Sequence, residues 1–142
     1  MTNLPRVAVG AVVFDDHGRV LLVRRAHPPA PGSWALPGGK VHFGEALTHA
    51  VKRELLEETG LAVQPTQLVD VVELIDDAYH FVIHDYLCEC ASHPALASAG
   101  DDASDLAWVG LDRLADYHPS AAVVAVVLRA DQLRRASRPG SR

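Results

Sequence analysis

Cysteine is scarce in this 142-residue chain: there are only two, Cys88 and Cys90. They lie two apart on one strand-like stretch, too close to staple a fold, so a disulfide-built secreted domain is excluded. No run of about 18 apolar residues occurs, and no membrane-spanning helix is expected. Residues 1–13 lack a basic region followed by an apolar core and a cleavage site; they read as a strand, not as a secretory signal. A reducing cytoplasm is the location these absences predict. Positive charge is in deficit, with 13 Lys plus Arg against 18 Asp plus Glu and a net charge of −5. Such a chain has no global attraction to phosphate backbones or anionic lipid, so neither a membrane nor a nucleic acid is an expected partner. An anionic substrate would need a local cation, and a bound metal ion is the obvious candidate.

The composition is that of a globular protein, 49% apolar and 22% charged, with enough apolar surface to offset ordering entropy. With no repeat, low-complexity tract or linker visible, residues 1–142 read as one domain, and about 136–142 as a flexible tail after a basic C-terminal helix. Val7 to Phe14 is β-rich and Asp15-Asp16-His17-Gly18 is a turn by composition. Val20 to Val23 then reads as a second strand hairpinned to the first. Pro28, Pro29, Pro31 and Gly32 crowd a loop. Trp34 to Leu36 is a short strand stopped by Pro37-Gly38-Gly39. Two longer β-like runs, Leu68 to Leu74 and Phe81 to Cys90, precede a polar loop at Ser98 to Ser104 and a strand at Leu106 to Val109. Pro119 opens a second helix over about Ser120 to Arg135. Within it Val123 to Leu128 is apolar enough to pack on the sheet or on a second subunit, so a homodimer is allowed for. Strands interleaved with two helices predict an α/β fold with a mixed sheet covered on both faces.

Glu45 to Thr59 reads as a helix, with Leu47, Val51 and Leu55 on one stripe and Gly60 where a left-handed cap belongs. Four of the chain's six glutamates, Glu45, Glu54, Glu57 and Glu58, fall in it. The last three, at i, i+3 and i+4, share a face near the helix C-terminus, where carboxylates are unwelcome. The Glu54/Glu58 pair alone costs an isolated helix roughly 0.2–0.5 kcal/mol. Only Arg53 is placed to relieve Glu57. A solvated acidic face is the plain alternative, and for Glu45 helix stabilisation in the first turn weighs equally. A hard divalent cation would resolve the conflict, since magnesium takes carboxylates, phosphates and waters as ligands.

Gly39, Glu45 and the run Arg53-Glu54-Leu55-Leu56-Glu57-Glu58-Thr59-Gly60-Leu61 together resemble the Nudix box throughout its 23 positions. Trp34-Ala35-Leu36-Pro37-Gly38-Gly39-Lys40 is similar to the approach to that box, and a weaker likeness covers nearly the whole chain. His42 stands where many relatives carry an acid, so no extra acidic ligand is read there. The resemblance implies a Nudix-type α/β/α sandwich around a mixed sheet. It also implies a hydrolase that cleaves a nucleoside diphosphate linked to another group with Mg²⁺ or Mn²⁺. Carried over by position, Glu54, Glu57 and Glu58 would ligate metal with the Gly38 carbonyl, Arg53 would orient those carboxylates, and Glu45 would support helix and loop or act as an outer ligand. The chain looks most similar to small bacterial ADP-ribose pyrophosphatase-like members. The alternatives are a nucleoside triphosphate pyrophosphatase acting on dNTPs or oxidised dGTP, and a nucleotide-sensing domain.

The substrate-binding candidates are Arg24, Arg25, Gly39, Lys40 and Asp102. Adjacent strand residues face opposite ways, so at most one of Arg24 and Arg25 easily reaches a site. Strand-end charge and surface solvation are the plain accounts of these arginines and of Lys40. The general base is a box glutamate or one of Asp101, Asp102 and Asp105, with an ordinary Gly-Asp turn as the competing account of the first two. Trp34 could stack on a base, though a Trp beside a Leu more often belongs to a core. The basic C-terminus, Arg129, Arg134, Arg135, Arg138 and Arg142, could touch RNA, but complementing the dipole of the second helix is the simpler reading.

Overall fold

The computed structural model describes residues 3–27, 30–100 and 103–137. Its strands are β1 (Arg6–Val13), β2 (Val20–Arg25), β3 (Trp34–Ala35), β4 (Gly38–Lys40), β5 (Val63–Ile75), β6 (His80–Cys90) and β7 (Ala103–Val109); its helices are α1 (Leu47–Thr59) and α2 (Ala121–Ser137). They form two sheets, one of order β4-β1-β6-β5 and one of order β3-β2-β7. In the first, β1 runs parallel to β6 while the other pairs are antiparallel, so the sheet is mixed. The second is antiparallel throughout.

Strand alternation assigns the two faces. Val9, Ala11 and Val13 of β1 join Leu21, Ala50, Val51, Leu55, Leu61 and Cys88 in a core beneath α1. Val12 turns the other way and packs with Val20, Leu22, Leu87, Val109 and the α2 residues Val126, Val127 and Ala130. A side chain such as Leu55, fully buried, contributes about 1.5–3 kcal/mol by leaving water. With helices on both faces, the chain is the α/β/α sandwich expected.

Three local readings are corrected. First, β1 and β2 are not a hairpin. The Asp15–Gly18 turn does reverse the chain, closed by the Gly18 N–H on the Asp15 carbonyl at 3.1 Å. Only one bridge, Phe14 to Val20, links the strands beyond it, because β1 is already flanked by β4 and β6. Second, the Gly38-Gly39 segment is not only a turn; paired with β1, it forms edge strand β4. Third, α1 starts at Leu47, and Glu45 precedes its cap residue Ala46. Residues 42–45 close their own turn instead: the Glu45 N–H donates to the His42 carbonyl, and the His42 N–H to Glu45 Oε1, each at 3.0 Å.

The C-terminus of α1 is as predicted. Gly60 has φ +73° and donates its N–H to the Leu56 carbonyl. A side chain there would meet the left-handed penalty, so Gly60→Ala should lower unfolding free energy by about 1–2 kcal/mol, read as a lower denaturation midpoint at unchanged m-value. At the other end of the chain α2 extends to Ser137; residues 138–142 of the expected tail lie outside the described residues.

Candidate active site

Arg53 is the hub on which the site is built. Its Nε and Nη2 donate to Glu45 at 2.7 and 2.9 Å, its Nη1 donates to Glu54 at 2.7 Å and Glu57 at 3.3 Å, and Nη2 also reaches the Lys40 carbonyl at 3.0 Å. A planar guanidinium is suited to such a fork, whereas an ammonium is not. Hydrogen bonds from Arg53 hold the Glu45 carboxyl far below the usual carboxylate range, and those to Glu45 first, then Glu54 and Glu57, raise the guanidinium further. Glu45 therefore supports the loop before α1 as well as the helix.

On the same helix face the three box glutamates differ in setting. The Glu54 side chain is 12% exposed and held by Arg53; that of Glu57 is 58% exposed. Glu58 is buried, and its Oε1 accepts the Gly38 N–H at 2.8 Å. A side chain on Gly39 would meet the Glu54 carboxylate, which would have to shift aside. Glu54, Glu57, Glu58, Gly38 and Gly39 all line a cleft of about 920 Å³.

The donors gathered there are oxygens only, the set that suits magnesium or manganese. Among the described residues no group of three His, Cys, Asp or Glu side chains is placed to hold a metal ion. The i, i+3, i+4 spacing makes the three glutamates neighbours on the helix surface.

The other candidates divide. Arg25, half-buried, and Lys40 line the cleft, as does Trp34, which packs edge-on against Tyr117 at 5.0 Å between centroids. Arg24 is exposed and spends its Nε on the Gly32 carbonyl, away from the cleft, as strand alternation requires of one member of the pair. Asp105 is exposed on β7, bonds its own neighbour's N–H and does not line the cleft. Asp101 and Asp102 lie outside the described residues. The residue before them, Gly100, donates to the Glu58 carbonyl at 2.7 Å, so their loop starts against the glutamate-bearing end of α1. Of the cysteines, Cys88 is buried in the core under α1, which pushes its thiol up to about 12. No helix among the described residues is long and apolar enough to cross a membrane.

One cleft residue escaped the sequence reading. Asp85, on β6, is 5% exposed and lines the cleft. Burial, and then the negative charge of Asp70, push its carboxyl up to about 7. Its β1 neighbour is Gly10, where a Cβ would collide with Asp85 Oδ1. The signal was an acid inside an apolar strand together with a glycine inside another; each alone is unremarkable, and only the register joins them.

The NUDIX domain family model matches residues 4–131. The ADP-ribose pyrophosphatase of Methanocaldococcus jannaschii is 34% identical over 112 residues, 78% of this chain and 64% of that protein. The 8-oxo-dGDP phosphatase NUDT18 of Homo sapiens is 40% identical over 63 residues, 44% of this chain and 20% of that protein. This chain thus spans less than two thirds of the length of either relative. Among solved structures, a MutT NUDIX hydrolase from Burkholderia pseudomallei superposes with a TM-score of 0.78 at 34% identity, covering 89% of this chain and 98% of that one. A family match over most of the sequence, together with this structural likeness, makes the chain a member of the NUDIX domain family.

Proposed function

We propose that this protein is a metal-dependent pyrophosphohydrolase that cleaves a nucleoside diphosphate linked to a second group, with ADP-ribose or a related nucleotide sugar as the favoured substrate. One observation carries the reading: Glu54, Glu57, Glu58 and the glycine strand Gly38-Gly39 all line a single cleft large enough for a nucleotide. When bound, Mg²⁺ or Mn²⁺ would neutralise diphosphate oxygens and acidify a water. Glu54, Glu57, Glu58 and the Gly38 carbonyl are the residues that would hold it. Arg53 sets the direction of Glu54 and Glu57, and Glu45 in turn fixes Arg53. Arg25 and Lys40 bring to the cleft the positive charge that the acidic chain lacks overall. A box glutamate, or Asp101 or Asp102 following Gly100, removes the proton from the attacking water.

The archaeal relative's name supports ADP-ribose, while the human relative's name supports an oxidised deoxynucleotide as the second reading. A screen with Mg²⁺ and Mn²⁺ over ADP-ribose, nucleotide sugars, dNTPs and oxidised dGTP tests both. Cleavage between the phosphates, strongest for ADP-ribose or a nucleotide sugar and abolished by EDTA, is the expected result. Turnover indifferent to EDTA overturns the metal mechanism; nucleotide binding with no turnover on any member points to a sensing domain instead.

A further inference from the structure

The cleft floor is made by alternate residues of three adjacent strands. Asp85, Ile83 and Phe81 share one face of β6, beside Gly10 and Ala8 of β1 and opposite Val72 and Leu74 of β5. Every one of these side chains is apolar or absent except that of Asp85, and directly opposite Asp85 on β5 stands a second acid, the exposed Asp70, outside the cleft lining. Asp85 as a residue is 5% exposed, and its carboxyl makes no side-chain hydrogen bond among the described residues. It lies across Gly10, whose missing side chain leaves the space, and Gly10 pairs directly with Gly38. Asp85 therefore stands level with the glycine strand at the glutamate end, while Ile83, Phe81, Val72 and Leu74 continue away from it as an apolar surface. An acid that lines a cleft without a protein partner for its carboxyl marks a ligand contact.

We propose that Asp85 is a specificity residue that reads the sugar of the substrate nucleoside, its carboxyl accepting a hydrogen bond from the ribose 2′-hydroxyl. This rests on the reading of the cleft as a nucleoside diphosphate site. With the diphosphate at Glu54, Glu57, Glu58 and Gly38, and the flat base against the apolar floor, the unit between them is the sugar. A carboxyl is the group that pairs with vicinal ribose hydroxyls in other nucleotide sites, and one raised to about 7 stands beside a diphosphate with less repulsion than an ordinary carboxylate. The inference assigns a ribonucleotide, rather than a deoxyribonucleotide, as substrate.

The test is calorimetric titration of the whole protein, in Mg²⁺, with ADP and with 2′-deoxy-ADP. The wild type should bind ADP at least ~10-fold tighter, since a site built around a hydroxyl rejects the analogue that lacks it. Asp85→Ala should bring the ratio close to one without lowering Tm, because it removes a buried unpaired acid. Gly10→Ala, which displaces the carboxyl without removing it, should collapse the ratio too and covers the case in which Asp85→Ala folds poorly. Equal binding of the two nucleotides by the wild type, or an unchanged ratio in either folded variant, overturns the proposal. ADP-ribose turnover followed in parallel separates the two claims: an intact ribose preference with no turnover sinks the pyrophosphatase reading while leaving the role of Asp85 standing.

Discussion

Glu57→Gln should lower the maximal rate of diphosphate cleavage by at least ~10³-fold, a loss of roughly 4 kcal/mol of transition-state stabilisation, while the fold survives. The exposed Glu57 carboxylate makes a single 3.3 Å bond to Arg53, so its neutral isostere removes little structure. Glu58→Gln should behave alike: its carbonyl oxygen still accepts the Gly38 N–H, but its charge is gone. Losing one carboxylate of the Glu54/Glu58 pair also relieves like-charge repulsion of about 0.2–0.5 kcal/mol in the helix. The expected signature is therefore activity lost with Tm unchanged or slightly raised. Mn²⁺ affinity, measured by electron paramagnetic resonance, should fall in parallel. A near-normal rate in either variant removes that residue from the metal assignment.

Arg53→Lys is the second large effect. The guanidinium ties Glu45, Glu54, Glu57 and the Lys40 carbonyl together; an ammonium cannot reach all four. Loss of a group that orients metal ligands costs ~10–100-fold in activity or metal affinity. The loss should fall on kcat and Mn²⁺ affinity more than on KM for the nucleotide; a pure KM effect would make Arg53 a substrate contact instead. The same hub has a pH signature. Because Arg53 depresses the folded pKa of Glu45, the pair's contribution is complete above the ordinary carboxylate value near 4.5 and is lost as pH falls below it. Tm should thus drop more steeply from pH 5 to 3 in the wild type than in Glu45→Gln. Equal slopes would mean that the pair contributes nothing to acid stability.

What the residues disclosed and what they hid follow from range. The apolar stripe of α1, the Gly60 cap and the clustering of Glu54, Glu57 and Glu58 are local patterns, readable within a few helical turns. Glu45 was misplaced into the helix because propensity does not register the turn it closes with His42, and β4 was missed because Pro37-Gly38-Gly39 has the composition of a turn until β1 pairs with it. The hairpin between β1 and β2 failed for the same reason: Asp15–Gly18 reverses the chain, but which neighbours β1 takes is decided by β4 and β6. Asp85 was hidden most deeply, since its meaning depends on Gly10, a partner from the far end of the chain.

That partnership also bears on the order of assembly. β1 is the inner strand joining β4 to β6, and its parallel ladder matches residues about 75 positions apart, from Arg6 with Phe81 to Val13 with Cys88. Helix α1 and the β5–β6 hairpin close short loops, whereas this ladder must close a long one before any contact rewards it. The glutamates can thus be displayed on a formed helix while the floor beneath the nucleotide is still missing. Recovery of catalytic competence on refolding should then lag behind recovery of helical circular dichroism, by the time the N-terminal strand takes to thread between its two neighbours.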